Sequence, residues 1–84
     1  MAHDPSYYVG RAIQAVRLGR LAKDGTSTQE HIAHESGVSL RHYQKIEAGG
    51  IDVRIGTLYA ISAALGAKAQ EILDRADDLR PKKK

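Results

Sequence analysis

Between Ser27 and Gly49 the chain reads STQEHIAHESGVSLRHYQKIEAG, two helix-length stretches divided by one glycine. No other feature restricts the fold as much. Ser27-x-x-Glu30 has the form of a capping box, a signature of a helix start. Ile32, Ala33 and Ser36 follow at inward-facing spacing, and Gly37 ends the helix because glycine takes a positive φ without steric cost. Val38 plugs the turn and Ser39 caps the next helix, whose inward face is Tyr43 and Ile46. Gly49-Gly50 closes it. Two short helices fixed at a sharp angle need a core supplied from elsewhere in the chain.

The flanking sequence supplies one. Asp4-Pro5 suits a helix start, and Val9, Ala12, Ile13 and Val16 form an apolar stripe over about residues 6–22. Asp24-Gly25-Thr26 stops that helix. Residues 51–54 read as a linker. Ile55, Leu58, Ile61 and Leu65 define a fourth amphipathic helix ending at Gly66, and Ala69, Ile72, Leu73 and Ala76 define a fifth. The expected architecture is all-α, with five helices in one domain over residues 1–79. A basic tail at residues 80–84 is too charged for a core to hold and is expected to be disordered.

An 84-residue chain has a small core, and with no cysteine it gains nothing from disulfides or a cysteine-based zinc site. No stretch approaches the ~20 apolar residues of a membrane helix. Residues 1–6 show no secretory leader, so a soluble cytoplasmic protein is expected. Thirteen Lys and Arg against ten Asp and Glu give a net charge of +3, too little to imply nucleic acid by itself. The distribution says more. Arg11, Arg17, Arg20 and Lys23 make the first segment basic and Arg41 and Lys45 lie on the third helix, whereas Glu71, Asp74, Asp77 and Asp78 make the fifth acidic.

A helix enters the major groove of DNA when a second element holds it at a fixed angle. Inward Tyr43 and Ile46 leave Leu40, Arg41, Gln44 and Lys45 on the outer edge of a recognition helix at about residues 39–48. Arg41 suits a bidentate contact to guanine, and Lys45 a base or a phosphate. Leu40 is placed either to meet a thymine methyl or to close a local core. Gln29 opens the first motif helix, where amides and side chain can hold a phosphate. His42 is expected near phosphates, and Tyr43 in the core rather than against bases.

Taken together, Gly10, Ile13, Val16, Arg17, Thr28-Gln29-Glu30, Ile32-Ala33, Gly37-Val38-Ser39, Tyr43, Ile46-Glu47, Gly49, Leu58, Ile61, Ala64-Leu65-Gly66 and Ile72-Leu73 resemble the lambda-repressor-like, Cro/XRE-type helix-turn-helix domains. The resemblance runs from Val9 to about Leu73. It implies base contacts by Leu40, Arg41 and Lys45, and phosphate contacts by Gln29, Ser39 and Arg54. It also implies a salt bridge between Arg17 and Glu47 tying the first helix to the end of the third, and homodimers binding two half-sites about 34 Å apart. Three features depart from the pattern. The segment between Arg17 and Thr28 is several residues longer, Ser27 replaces a leucine whose space Leu21 is expected to fill, and Ser36 takes a usually apolar position.

Rival chemistries have less support. His31, His34 and His42 with Glu30 and Glu35 lack a closing ligand, so neither metal nor cofactor is expected. No nucleophile, base and orienting group are arranged for catalysis, so an enzyme is not expected. Leu58, Ile61, Leu73 and Leu79 exceed the needs of one small core and are expected to form a dimer surface. The resulting expectation is a sequence-specific regulator binding double-stranded DNA at a pseudo-palindromic operator. The alternative is an antitoxin-like adaptor whose 51–79 half binds a toxin-like partner protein.

Overall fold

The computed structural model describes residues 3–81. Five helices follow in order: α1 Pro5–Asp24, α2 Gln29–Ser36, α3 Leu40–Ala48, α4 Ile55–Leu65 and α5 Ala69–Leu79. Among the described residues there are no strands. Lys82, Lys83 and Lys84 of the expected tail lie outside the described residues.

Local chemistry sets each boundary. Asp4 caps α1 by accepting from the Ser6 amide and hydroxyl, and Pro5 occupies the first turn. The helix ends at Gly25, whose φ of 69° favours a residue without a Cβ. The added length ahead of the motif is therefore helix: α1 has twenty residues and stops only at Asp24.

The expected capping box at Ser27 is corrected. The cap of α2 is Thr28, whose side chain accepts from the His31 amide at 3.1 Å. Ser27 belongs to the preceding turn, where its hydroxyl donates to Asp24 Oδ2 at 2.8 Å and its amide to Asp24 Oδ1 at 3.1 Å. Committed to Asp24, Ser27 is buried as part of the α1–α2 joint. Ser36 is half-buried and donates its hydroxyl to the Ile32 carbonyl at 2.7 Å, so its own helix satisfies it at a position where an apolar side chain is usual. Leu21 is half-buried and is not among the side chains packed against the core.

The core draws on every helix: Tyr8, Ala12 and Ile13 from α1, Ile32 and Ala33 from α2, Tyr43 and Ile46 from α3, Leu58, Ile61 and Leu65 from α4, and Ile72 and Ala76 from α5. α1 is the spine against which α3, α4 and α5 pack, and α2 lies on α3 and α4. Where α1 crosses α3, a Cβ on Gly10 would overlap the Ile46 carbonyl oxygen. Only glycine permits that approach.

Two expected core positions are corrected. Ile55, at the first position of α4 and one turn ahead of Leu58, is 68% exposed. Leu73 follows Ile72 by one position, which turns it about 100° away from the buried Ile72–Ala76 stripe, and it is 37% exposed. The expected dimer surface is corrected as well. Leu58 is 4% exposed and Ile61 fully buried, so both belong to the monomer core and offer nothing to a second copy. Leu73 and Leu79 are exposed, but six residues apart on a helix they point to different sides.

Candidate nucleic-acid interface

α3 is the most sharply divided of the motif's two helices. Tyr43, Ile46 and Glu47 face inward and are buried, whereas Arg41, His42, Gln44 and Lys45 are exposed and Leu40 is half-buried. Ser39 caps the helix by accepting from the His42 amide at 3.1 Å, leaving its hydroxyl proton free to donate outward. Gly49 and Gly50 close the other end, their amides bonding to the Ile46 and Lys45 carbonyls at 3.0 and 3.2 Å.

Beneath this edge lies a polar network that fixes its position. Arg17 Nε donates to Glu47 Oε2 at 2.6 Å and Arg17 Nη2 to Oε1 at 3.1 Å, a two-pronged ion pair buried between α1 and α3. The third arm of the guanidinium, Nη1, donates to the Ser27 carbonyl at 3.3 Å and so ties the α1–α2 joint to the same pair. Gln29 Nε2 donates to Glu47 Oε1 at 2.9 Å, while Gln29 Oε1 accepts from Gln44 Nε2 at 3.4 Å. An unbroken chain of contacts thus runs from buried Arg17 to Gln44 on the exposed edge.

Two opposing effects act on Glu47. Burial alone pushes its carboxyl up, but hydrogen bonds, first from Arg17, outweigh it and hold the group below the usual carboxylate range. The same bond raises Arg17 above its ordinary value against the cost of burial. Tyr43 lies beside this pair, and burial, reinforced by Glu47, pushes its phenol well above the usual range. Its hydroxyl lies close to Glu47 and Arg17 but makes no well-formed hydrogen bond among the described residues.

The Arg17–Glu47 pair stands where the resemblance implied it. Gln29, Ser39, Leu40, Arg41, His42, Gln44 and Lys45 are gathered on α3 and the facing end of α2. Arg54 is exposed at the N-cap of α4, on a different element. Among the described residues, Arg41, Lys45 and Arg54 form no ion pair, so their charge is not spent on a neighbouring carboxylate. Sequence reading missed Arg11, whose Nη1 donates to the Glu47 carbonyl at 3.5 Å near the C-terminal end of α3. The available signal was its charge, legible as part of the basic first segment, but nothing in the spacing ties it to a residue 36 positions away. It also missed Tyr7, which lies against Gly49.

Two helices clamped at a glycine turn, with a cationic outer edge and a braced inner one, define a helix-turn-helix DNA-binding domain. Residues 18–72 match the helix-turn-helix family HTH_3, and the chain belongs to that family. Among solved structures it is similar to the clp gene regulator ClgR from C. glutamicum, with a TM-score of 0.81 and 25% identity over 90% of this chain and 92% of that one. It is also similar to the restriction-modification controller protein C.AhdI from Aeromonas hydrophila, with a TM-score of 0.70 and 19% identity over 80% of this chain and 94% of that one. The latter likeness is one of fold. No curated protein matches the sequence. The chain is a DNA-binding transcription regulator of the Cro/C1 type rather than an enzyme. Among the described residues no helix is long and apolar enough to cross a membrane.

Proposed function

We infer that the protein binds a pseudo-palindromic operator as a homodimer and controls transcription by occupying it, acting in the cytoplasm. The observation that carries this reading is the unpaired, exposed edge of α3 standing on the Arg17–Glu47–Gln29–Gln44 network. Arg41, Gln44, Lys45 and Leu40 are its base-contacting set. Gln29, Ser39, His42 and Arg54 are its phosphate-contacting set, with the α2 N-terminal amides adding a partial positive charge at Gln29. Gln29 has a double role, since its amide is already held by Glu47 and Gln44 and so presents a fixed rather than a floppy donor.

The test is selection of bound duplexes from random DNA, followed by titration of the winning duplex and a scrambled one across a range of salt. Specific affinity should exceed non-specific by at least ~10³-fold. Lys45→Ala should flatten the logarithmic salt slope by about one unit, the signature of one lost phosphate contact. A rival reading, an adaptor for a toxin-like protein, draws support from exposed Ile55 and Tyr59 in the 51–79 half. Changing Arg41 and Lys45 together to Ala separates the two, because it removes operator binding and leaves a protein partner's binding intact.

A further inference from the structure

Tyr7, Gly10 and Arg11 stand at i, i+3 and i+4 on α1 and so share one face, and each meets the last turn of α3 or its cap. A Cβ on Gly10 would overlap the Ile46 carbonyl oxygen, so the two backbones touch there. Arg11 Nη1 donates to the Glu47 carbonyl at 3.5 Å. The Tyr7 ring lies against Gly49, where a Cβ would fall 2.6 Å from Tyr7 Cδ1. That ring is itself steadied by His3, stacked on it with centroids 3.8 Å apart, and by Tyr8, edge-on at 5.3 Å.

The last four carbonyls of a helix find no partner within it. In α3 the Lys45 and Ile46 carbonyls accept from Gly50 and Gly49 close by, whereas the Glu47 carbonyl accepts from Arg11 on another helix. A cation there also complements the negative end of the helix dipole. α1 thus holds Glu47 twice, by its carboxylate through Arg17 and by its carbonyl through Arg11. The carboxylate pair alone would let α3 swing about a side chain; the main-chain bond removes that freedom.

Position along α3 decides what this seat controls. Gln44 and Lys45 lie only about 3–5 Å along the axis from Glu47, whereas Arg41 lies about 9 Å away, beside the Ser39 cap. A tilt of α3 about its capped N-terminal end therefore displaces Gln44 and Lys45 more than Arg41. We propose that Tyr7 and Arg11 are positioning residues of DNA recognition: they seat the C-terminal end of α3 and so set the base preference of Gln44 and Lys45 without touching DNA. The proposal rests on the base-contacting role of α3 given above. It separates Arg11 from the phosphate-contacting cations, with which its charge alone would group it.

The test is competition binding of the full chain to a selected duplex and all its single-base variants at several salt concentrations, with urea unfolding alongside. Arg11→Ala, Arg11→Lys and Tyr7→Leu are compared with wild type. Gln44→Ala and Lys45→Ala mark the base pairs that depend on those side chains, and Arg41→Ala marks its own. Arg11→Ala and Tyr7→Leu should each lower preference at the Gln44- and Lys45-dependent pairs by at least ~5-fold, leaving the Arg41-dependent pairs and the salt slope unchanged. Arg11→Lys, which keeps a cationic donor, should retain more of the preference than Arg11→Ala. With two residues probed, the result stays decisive should one variant melt early. A salt slope flattened by about one unit, with equal weakening at every base pair, would make Arg11 a phosphate contact and overturn the proposal. Lost unfolding stability with an unchanged base profile would overturn it too, leaving a purely structural role. The Gln44→Ala and Lys45→Ala profiles judge the reading of α3 itself. No change there overturns that reading and this proposal together, whereas change there with none in Arg11→Ala and Tyr7→Leu overturns this proposal alone.

Discussion

The outer faces of α3 and α4 are both exposed, yet they are built from opposite materials. α3 shows Arg41, His42, Gln44 and Lys45 to solvent, and α4 shows Ile55, Gly56, Tyr59 and Ala63. Their inner faces differ too. α3 is anchored partly by a buried ion pair, whereas α4 is anchored by Leu58, Ile61 and Leu65, with Ser62 satisfied by the Leu58 carbonyl at 2.8 Å. A polyanion with a fixed spacing of charges needs a reader whose cations are held in register, and the Glu47 network supplies that rigidity. The outer face of α3 is thus suited to a charged partner and that of α4 to an apolar one.

The largest effect should come from breaking the anchor beneath α3. Glu47→Ala leaves the buried Arg17 guanidinium without its partner and should cost about 3–5 kcal/mol of stability, read from urea unfolding. The same pair fixes the direction of a pH effect. The folded-state value of Glu47 lies below its ordinary 4.5, so its contribution is fully present above pH 4.5 and is lost as pH falls through the depressed folded value. Unfolding followed from neutral to acidic pH should show stability falling below about 4.5 in the wild type. The fall should be shallower in Glu47→Gln.

Gly10→Ala sharpens the comparison from the other side of α1. The added methyl group meets the Ile46 carbonyl, so α1 and α3 must separate, at a cost of about 1–3 kcal/mol in thermal or urea unfolding. An effect of similar size but different kind is expected for Arg41→Ala. It should weaken binding to a selected duplex by about 1–3 kcal/mol and relax preference at one guanine per half-site, with unfolding stability changed by less than about 0.5 kcal/mol. The smallest effect is expected at Tyr43. Tyr43→Phe removes a buried hydroxyl that lies beside the Arg17–Glu47 pair without a well-formed hydrogen bond of its own, and should change stability by no more than about 1 kcal/mol in urea unfolding, while the ring keeps its place in the core.

Much of the architecture was legible because it depends on short-range chemistry. Gly25, Gly37, Gly49 and Gly66 punctuate the helices, and all four take positive φ. The stripe of Ile13, Ile32, Tyr43, Ile46, Leu65 and Ile72 could be read from spacing, and all are fully buried. The Arg17–Glu47 pair was accessible only by resemblance, because thirty residues separate its members and no periodicity joins them. What escaped the sequence depends on three-dimensional competition. Ser27 carried the local signature of a cap, but Asp24 captured its hydroxyl and passed the role to Thr28. Ile55 fits the spacing of a core stripe but falls in the first turn of α4, ahead of its first buried residue. Leu58 and Ile61 looked surplus only because the amount of apolar area that α1 and α2 present to α4 cannot be summed from a list of residues. That miscount also concealed Tyr59, which lies on the same helix and faces outward.

The central claim is that the outer edge of α3 reads DNA sequence. Its most direct test is a salt-dependent anisotropy titration of wild type and the Arg41→Ala, Lys45→Ala double variant against a selected duplex and its scrambled counterpart. The account predicts a wild-type specificity ratio of at least ~10³ that the double variant loses while remaining folded. A wild type that binds both duplexes weakly and equally, or a double variant that discriminates as well as wild type, would contradict it.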